Sequence, residues 1–156
     1  MAALPDVTTT LDDESVSATG VVPASPDVVF DFLRHPANHV ELSGDGSVKG
    51  VTNTDTALDL GSKFGMKMKV GIPYRMSSSV VEFEQDRLIA WCHFGGHRWR
   101  WQLEPVSGGT RVTETFDMST AKFPPALKLA GYPKRHEDNV AGSVRNLIAH
   151  FSAARR

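Results

Sequence analysis

Residues 84–115 read EQDRLIAWCHFGGHRWRWQLEPVSGGTRVTET. Gly95-Gly96 and Gly108-Gly109 supply the backbone freedom that tight hairpin turns need, so the stretch predicts two β-hairpins in series. Between the turns, Arg98-Trp99-Arg100-Trp101-Gln102-Leu103 alternates polar and apolar residues, the mark of a strand with one dry face and one wet face. Two indoles and a leucine on the dry face are a large apolar payload. The stretch predicts a curved antiparallel sheet built around something.

The rest of the chain extends that sheet. Glu14 to Val22 reads as a first strand stopped by Pro23, and Ser25-Pro26-Asp27 has the chemistry of a helix start. Val28, Val29, Phe30, Phe32 and Leu33 give this helix an apolar face, and it should end near Arg34 because Pro36 pushes His35 out of the α region. A second helical turn is expected over Ala37 to Val40. Further strands are predicted at Ser47–Thr54, Lys63–Val70, Tyr74–Phe83, Arg87–Phe94, His97–Pro105 and Thr110–Ser119. From Lys134 the period becomes helical, with Val140, Val144, Leu147, Ile148 and Phe151 on one stripe. The expected architecture is α+β: a seven-stranded antiparallel sheet, two short helices after the first strand, and a long C-terminal helix against the concave face. Residues 1–13 are expected to be a loose tail and 14–156 a single domain.

Composition narrows the function classes. The 156 residues carry a net charge of −1, which makes no case for a nucleic-acid partner. No apolar run approaches the roughly 18 residues of a membrane span. The N-terminus lacks a basic region followed by an apolar stretch, and the lone Cys92 excludes an internal disulfide framework. A cytoplasmic location is the expectation. Charge is unevenly spread: residues 1–60 hold ten Asp/Glu and two Lys/Arg, whereas 61–156 hold eight and fifteen.

Several segments together resemble the helix-grip fold of the START and birch-pollen-allergen superfamily (SRPBCC), and within it the polyketide cyclase/dehydrase branch. They are Val22-Pro23-Ala24-Ser25-Pro26-Asp27-Val28-Val29-Phe30, His35-Pro36, Phe83 through Trp91, Arg98 through Pro105, Gly108 through Glu114, and the closing helix. The resemblance covers nearly all of the chain from about Ser15. It implies an apolar cavity between sheet and C-terminal helix, in a superfamily of lipid carriers, hormone receptors and aromatase/cyclases. Fold alone assigns no activity.

Strand parity then proposes which side chains face that cavity. A two-residue turn at Gly95-Gly96 pairs Cys92 with Trp99 and Ala90 with Trp101, and paired residues share a face. The inward set is Leu88, Ala90, Cys92, Phe94, His97, Trp99, Trp101 and Leu103. Ile89, Trp91, His93, Arg98, Arg100 and Gln102 point outward, with Trp91 over Arg100 as a cation–π pair. A four-residue loop keeps this parity and a three-residue loop reverses it. Carried through Gln85-Asp86 and Gly108-Gly109, the ladder turns Arg75, Ser77, Ser79, Val81, Phe83, Val112, Glu114, Phe116 and Met118 inward. Ser77, Phe94 and His97 would share a row, and Glu114 would oppose Leu103.

The expected ligand wall is therefore Phe64, Met66, Met68, Phe83, Phe94, Trp99, Trp101, Phe116, Val140 and Val144, with Arg75, Ser77, Ser79 and His97 orienting a small hydrophobic or amphipathic molecule. No metal site is expected, because His93 and His97 fall on opposite faces, and no cofactor is called for. Cys92 reads as a buried thiol. His97, Arg75 and Glu114 are the candidates for acid–base work, although Glu114 lies some six residues from His97 on the ladder, about 20 Å. His39, Glu41 and His136 are candidates for the cavity mouth. Three functions stay open: ligand binding, a cofactor-free polyketide aromatase/cyclase or dehydratase, and a protein-interaction module. The oligomeric state stays open between monomer and homodimer.

Overall fold

The computed structural model describes residues 6–51 and 57–154. Eight strands form one antiparallel sheet: β1 (Thr8–Leu11), β2 (Ser15–Val22), β3 (Val48–Val51), β4 (Lys63–Val70), β5 (Ile72–Glu84), β6 (Leu88–Cys92), β7 (Arg98–Val106) and β8 (Gly109–Asp117). Their spatial order is β1-β2-β8-β7-β6-β5-β4-β3. The helices are α1 (Pro26–Leu33), α2 (His39–Leu42), α3 (Pro124–Leu129) and α4 (Glu137–Ala154). The sheet has eight strands where seven were expected. The additional one is β1, inside the segment read as a tail: Thr8–Leu11 pairs with Val16–Thr19. Part of the second expected strand, residues 52–54, lies outside the described residues.

Local chemistry accounts for the elements. Ser25 is extended before Pro26 at the start of α1, and His35 is extended (φ −106°, ψ 110°) before Pro36, so the helix ends where proline sterics require. α4 runs for 18 residues, about 27 Å. Its stripe of Val140, Val144, Leu147, Ile148 and Phe151 is buried, packed mainly on β2 and β8. Each such side chain contributes roughly 2 kcal/mol of burial free energy.

The hairpin loops set which residues face α4, and here the structure corrects the expected parity. β6 and β7 pair Cys92 with Arg98, Trp91 with Trp99 and Ile89 with Trp101. The loop is thus five residues, 93–97, and an odd loop reverses the β6 faces. Ile89 and Trp91 point inward, and Leu88, Ala90 and Cys92 point outward. Asp86 adopts φ +63° in a three-residue loop, 85–87, that pairs Glu84 with Leu88. That second reversal restores Phe83 to the inner side. A bulge between Val80 and Glu82 then reverses the rest of β5. Met76, Ser78 and Val80 face inward, while Arg75, Ser77 and Ser79 face outward. Phe94 is exposed on its loop, so the expected row of Ser77, Phe94 and His97 does not form.

The β7–β8 turn centres on Ser107-Gly108, with Val106 opposite Gly109. Glu114 therefore opposes Trp101 rather than Leu103. A side chain at Gly109 would put its Cβ 2.0 Å from the Val22 carbonyl oxygen, so the close approach of β8 to the end of β2 requires glycine.

Candidate functional site

A cavity of about 110 Å³ lies between the sheet and α4. The sheet supplies Phe64, Met66 and Met68 from β4, Met76 and Ser78 from β5, Trp91 from β6, Trp99 and Trp101 from β7, and Glu114 from β8. His93 joins them from the β6–β7 loop. α4 contributes Asn139 and Ser143, and the segment from α2 into β3 contributes His39, Leu42, Ser43, Ser47 and Val48.

Among the expected ligand residues, the structure brings Phe64, Met66, Met68, Trp99 and Trp101 to the wall. Phe83, Phe116, Val140 and Val144 sit in the surrounding core. Arg75 and Ser77 are exposed on the opposite face, Ser79 shares that face, and Phe94 is at the surface. Trp91 had been expected over Arg100. Instead it stacks on His39 (4.7 Å, 21° between planes) and meets Phe64 edge-on at 5.7 Å. Arg100 instead holds Glu82 through two hydrogen bonds, from Nε at 2.9 Å and Nη2 at 2.8 Å, and reaches Asp117 at 3.1 Å. Arg98 joins Glu82 at 2.8 Å. These contacts form a half-buried charge network on the outer face, and hydrogen bonds from Arg100 lead the causes that hold Glu82 below the usual carboxylate range.

His39 is buried, not solvated, because its Nε2–H donates to the Leu33 carbonyl at 2.8 Å. Glu41 is exposed and pairs with His150 at 3.0 Å. Ser43 and Gly44 are drawn against α4. Asn146 Nδ2 donates to the Leu42 and Ser43 carbonyls at 3.3 and 3.2 Å. Gly44 donates its N–H to Ser143 Oγ at 3.2 Å, and a Cβ on Gly44 would lie 2.0 Å from the Asn139 carbonyl oxygen. Small residues at 44 and 142 let the loop touch the helix backbone and close this side of the cavity.

Glu114 is the most unusual group in the wall. It is 5% exposed, Ser143 hydrogen-bonds its carboxyl, and Oε2 is buried without a protein partner. Burial pushes its carboxyl well above the ordinary value of 4.5, against the smaller opposing effect of the Ser143 hydrogen bond. Burial thus favours its protonated form, which can donate a hydrogen bond.

Burial likewise favours the neutral forms of three imidazoles near the wall. His93 shares a 2.6 Å hydrogen bond with Ser78 Oγ, and burial, helped by neighbouring His97, lowers it to about 4. His97 packs between His93 (5.6 Å) and Phe116 (5.2 Å), and burial lowers it too. The two histidines were expected on opposite faces; the five-residue loop puts them together. Among the described residues, however, no three His, Cys, Asp or Glu side chains cluster to hold a metal. His136 packs on Phe116 (4.5 Å), Trp99 (5.0 Å) and Tyr132 (4.4 Å), and burial leads the causes that lower it to about 4. Parity reasoning missed Ser78, Trp91 and His93. Ser143, one residue before Val144, falls beside the apolar stripe of α4, a signal available in the helical spacing.

An antiparallel sheet gripping a C-terminal helix around a small aromatic- and methionine-lined cavity defines a helix-grip domain. Residues 13–152 match the family described as polyketide cyclase/dehydrase and lipid transport, and the chain belongs to that family. It is 36% identical over 149 residues to the uncharacterized protein Rv0088 of Mycobacterium tuberculosis strain H37Rv, covering 90% of this chain. The chain spans 65% of that relative's length. In structure it resembles a protein from Rhodobacter sphaeroides (TM-score 0.70, 17% identity, 95% of this chain and 99% of the other). It also resembles protein Ms6760 from Mycobacterium smegmatis (TM-score 0.68, 16% identity, 96% and 98%). Among the described residues, no helix is long and apolar enough to cross a membrane.

Proposed function

We propose that the domain binds a small, uncharged, largely apolar molecule, lipid- or polyketide-like in character, in the cavity between the sheet and α4. The observation that carries this reading is Glu114: a buried acid, steadied by Ser143, with one oxygen unpartnered in a wall of indoles and thioethers. A buried polar atom left without a partner costs about 1–3 kcal/mol, and a ligand carbonyl that accepts a hydrogen bond from Glu114 would offset that cost. Burial disfavours the charged forms of His93 and His97, which argues against an anionic ligand. At about 110 Å³ the space is smaller than the apolar cavity of about 150 Å³ that accepts benzene, so it takes a short chain segment or part of one ring. Any longer ligand leaves its remainder outside.

Titration of the three tryptophans by fluorescence with a neutral aryl ketone, and with an aryl carboxylate of the same size, tests the reading. The ketone should bind and the carboxylate should not. Glu114→Gln keeps a donor and should keep ketone affinity within about threefold, whereas Glu114→Leu should lose about tenfold, the worth of one hydrogen bond. Equal binding of ketone and carboxylate, or of neither, sinks the proposal.

A second reading, turnover of a bound polyketide-like carbonyl by a cyclase or dehydratase chemistry, is favoured by the same carboxyl. A glutamic acid that holds its proton at neutral pH can serve as a general acid where an ordinary glutamate cannot. Product formation that Glu114→Gln abolishes without weakening binding distinguishes this reading from simple binding.

A further inference from the structure

Three parts of the chain lie toward one end of the sheet: the β6–β7 loop, the segment after β8 and the β4–β5 hairpin tip, which runs seven residues past the Ser79–Cys92 pair. The β6–β7 loop and the segment after β8 are tied together directly. Lys122 donates its backbone N–H to the Gly95 carbonyl at 2.8 Å, and Thr120 Oγ1 donates to the Gly96 carbonyl at 2.7 Å. Large apolar side chains stand out from all three. Ile72 is 74% exposed, Phe94 83%, Phe123 71% and Leu129 92%. Exposed apolar groups gathered on one end of a domain mark an interaction surface.

Charge says what that surface meets. Residues 61–81, 88–103 and 118–136 contain no aspartate or glutamate. The hairpin carries Lys67, Lys69 and Arg75, and the segment around α3 carries Lys122, Lys128 and Lys134. Carboxylates flank these stretches: Glu137 and Asp138 follow His136 at the start of α4, and the others are engaged. Glu82 and Asp117 are held by Arg98 and Arg100, and Asp45 accepts hydrogen bonds from Ser43 and from the Ser47 backbone N–H. The apolar groups stand on the β4–β5 hairpin, the β6–β7 loop and the α3 segment, separate projections suited to insertion. A second copy presenting the same end would set like charges against each other.

We propose that this end of the domain docks on an anionic lipid surface. Phe94, Phe123, Leu129 and the Ile72 tip enter the interface, and the surrounding lysines meet headgroup phosphates. Each basic residue near such a surface adds about fivefold to partitioning at moderate salt, and each buried phenylalanine about tenfold. Two wall residues lie beside this surface in the sequence, Met68 just before Val70 and His93 just before Phe94, which puts the cavity next to the docked end. The inference does not rest on the ligand reading.

Co-sedimentation with vesicles of phosphatidylcholine alone, and of phosphatidylcholine with phosphatidylglycerol, tests it. Binding is expected to the mixed vesicles only and to fall with added salt. Lys122→Glu with Lys128→Glu should weaken it about 25-fold or more. Phe94→Ser with Phe123→Ser should weaken it about 100-fold, with an unchanged circular dichroism spectrum because both side chains are exposed. No binding to the mixed vesicles overturns the proposal. So does binding that the phenylalanine pair leaves unaltered. Sedimentation velocity that shows a dimer abolished by the same pair would assign the patch to a second copy instead and equally overturn it.

Discussion

Replacing Glu114 by glutamine tests the protonation state on which the cavity reading stands. Burial raises the carboxyl well above 4.5 in the folded protein, while the unfolded chain titrates it near that value. Between those two values the native state holds a proton that the unfolded state has released. Stability is therefore full below pH 4.5 and is lost as pH rises toward the folded value, at up to about 1.4 kcal/mol per pH unit. Glutamine keeps the shape and a donor but does not titrate, so Glu114→Gln should gain on the parent as pH rises, by about 1 kcal/mol from pH 5 to 6 and more beyond. With a urea m-value of about 2 kcal/mol/M, the gap between unfolding midpoints should widen by roughly 0.5 M per unit. His93 and His136 act in the opposite sense. Both are lowered from 6.5 to about 4, so each contributes stability above pH 6.5 that is lost on acidification, on the order of 3 kcal/mol across the window. These contributions occur in both proteins and cancel in the difference. The assay is urea unfolding of parent and variant, followed by tryptophan fluorescence, at each half unit of pH between about 5 and 8. A gap that stays constant across that range, or shrinks with pH, would mean that Glu114 is ionised in the native state and would refute the argument for an uncharged cavity.

Two further perturbations probe the frame around the site. Gly44→Ala would place a Cβ 2.0 Å from the Asn139 carbonyl oxygen; it should cost about 3 kcal/mol, the upper end for an overpacked site, and calorimetry should show a correspondingly lower Tm. Arg100→Met leaves Glu82 and Asp117 half-buried without their shared partner and should cost roughly 2 kcal/mol near pH 7. Because both carboxyls are held below their ordinary values of 4.5 and 3.8 in the parent, that cost should shrink as pH falls through this range and they take up protons, which urea unfolding at several pH values reads directly.

The periodicity of the chain carries most of the fold. The alternation of Arg98 through Leu103 and the stripe on α4 place the sheet, the helix and the layer between them, because burial of an apolar face dominates both elements. β1 is the exception. Thr8–Leu11 is a short, exposed edge strand held to β2 by backbone pairing, and edge pairing leaves no hydrophobic period to read. The site is less legible because it depends on parity, and parity turns on single residues. Gly95-Gly96 looks like a two-residue turn, yet Gly96 at φ +82° lets its N–H bond to the His93 carbonyl within a loop of five. The Val80–Glu82 bulge has no glycine or proline to announce it.

The five-residue β6–β7 loop and the Val80–Glu82 bulge together decide the chemistry of the cavity. With the expected parity, the inner wall would carry Arg75 with Ser77 and Ser79, a cationic headgroup site beside the indoles. With the observed parity, Arg75 is outside and the titratable groups facing or adjoining the wall are His39, His93, His97 and Glu114. Burial lowers His93 and His97 and raises Glu114, favouring the neutral form of each. Formal charge is meanwhile sorted to the outer face, where Glu82, Asp117, Arg98 and Arg100 neutralise one another, and to the lysine-rich sheet end. A cavity in which burial favours the neutral forms of His93, His97 and Glu114 can select by hydrogen bonding without the desolvation penalty of a buried charge. It follows that binding of a neutral ligand should survive the replacement of Glu114 by glutamine but not by a side chain without a donor.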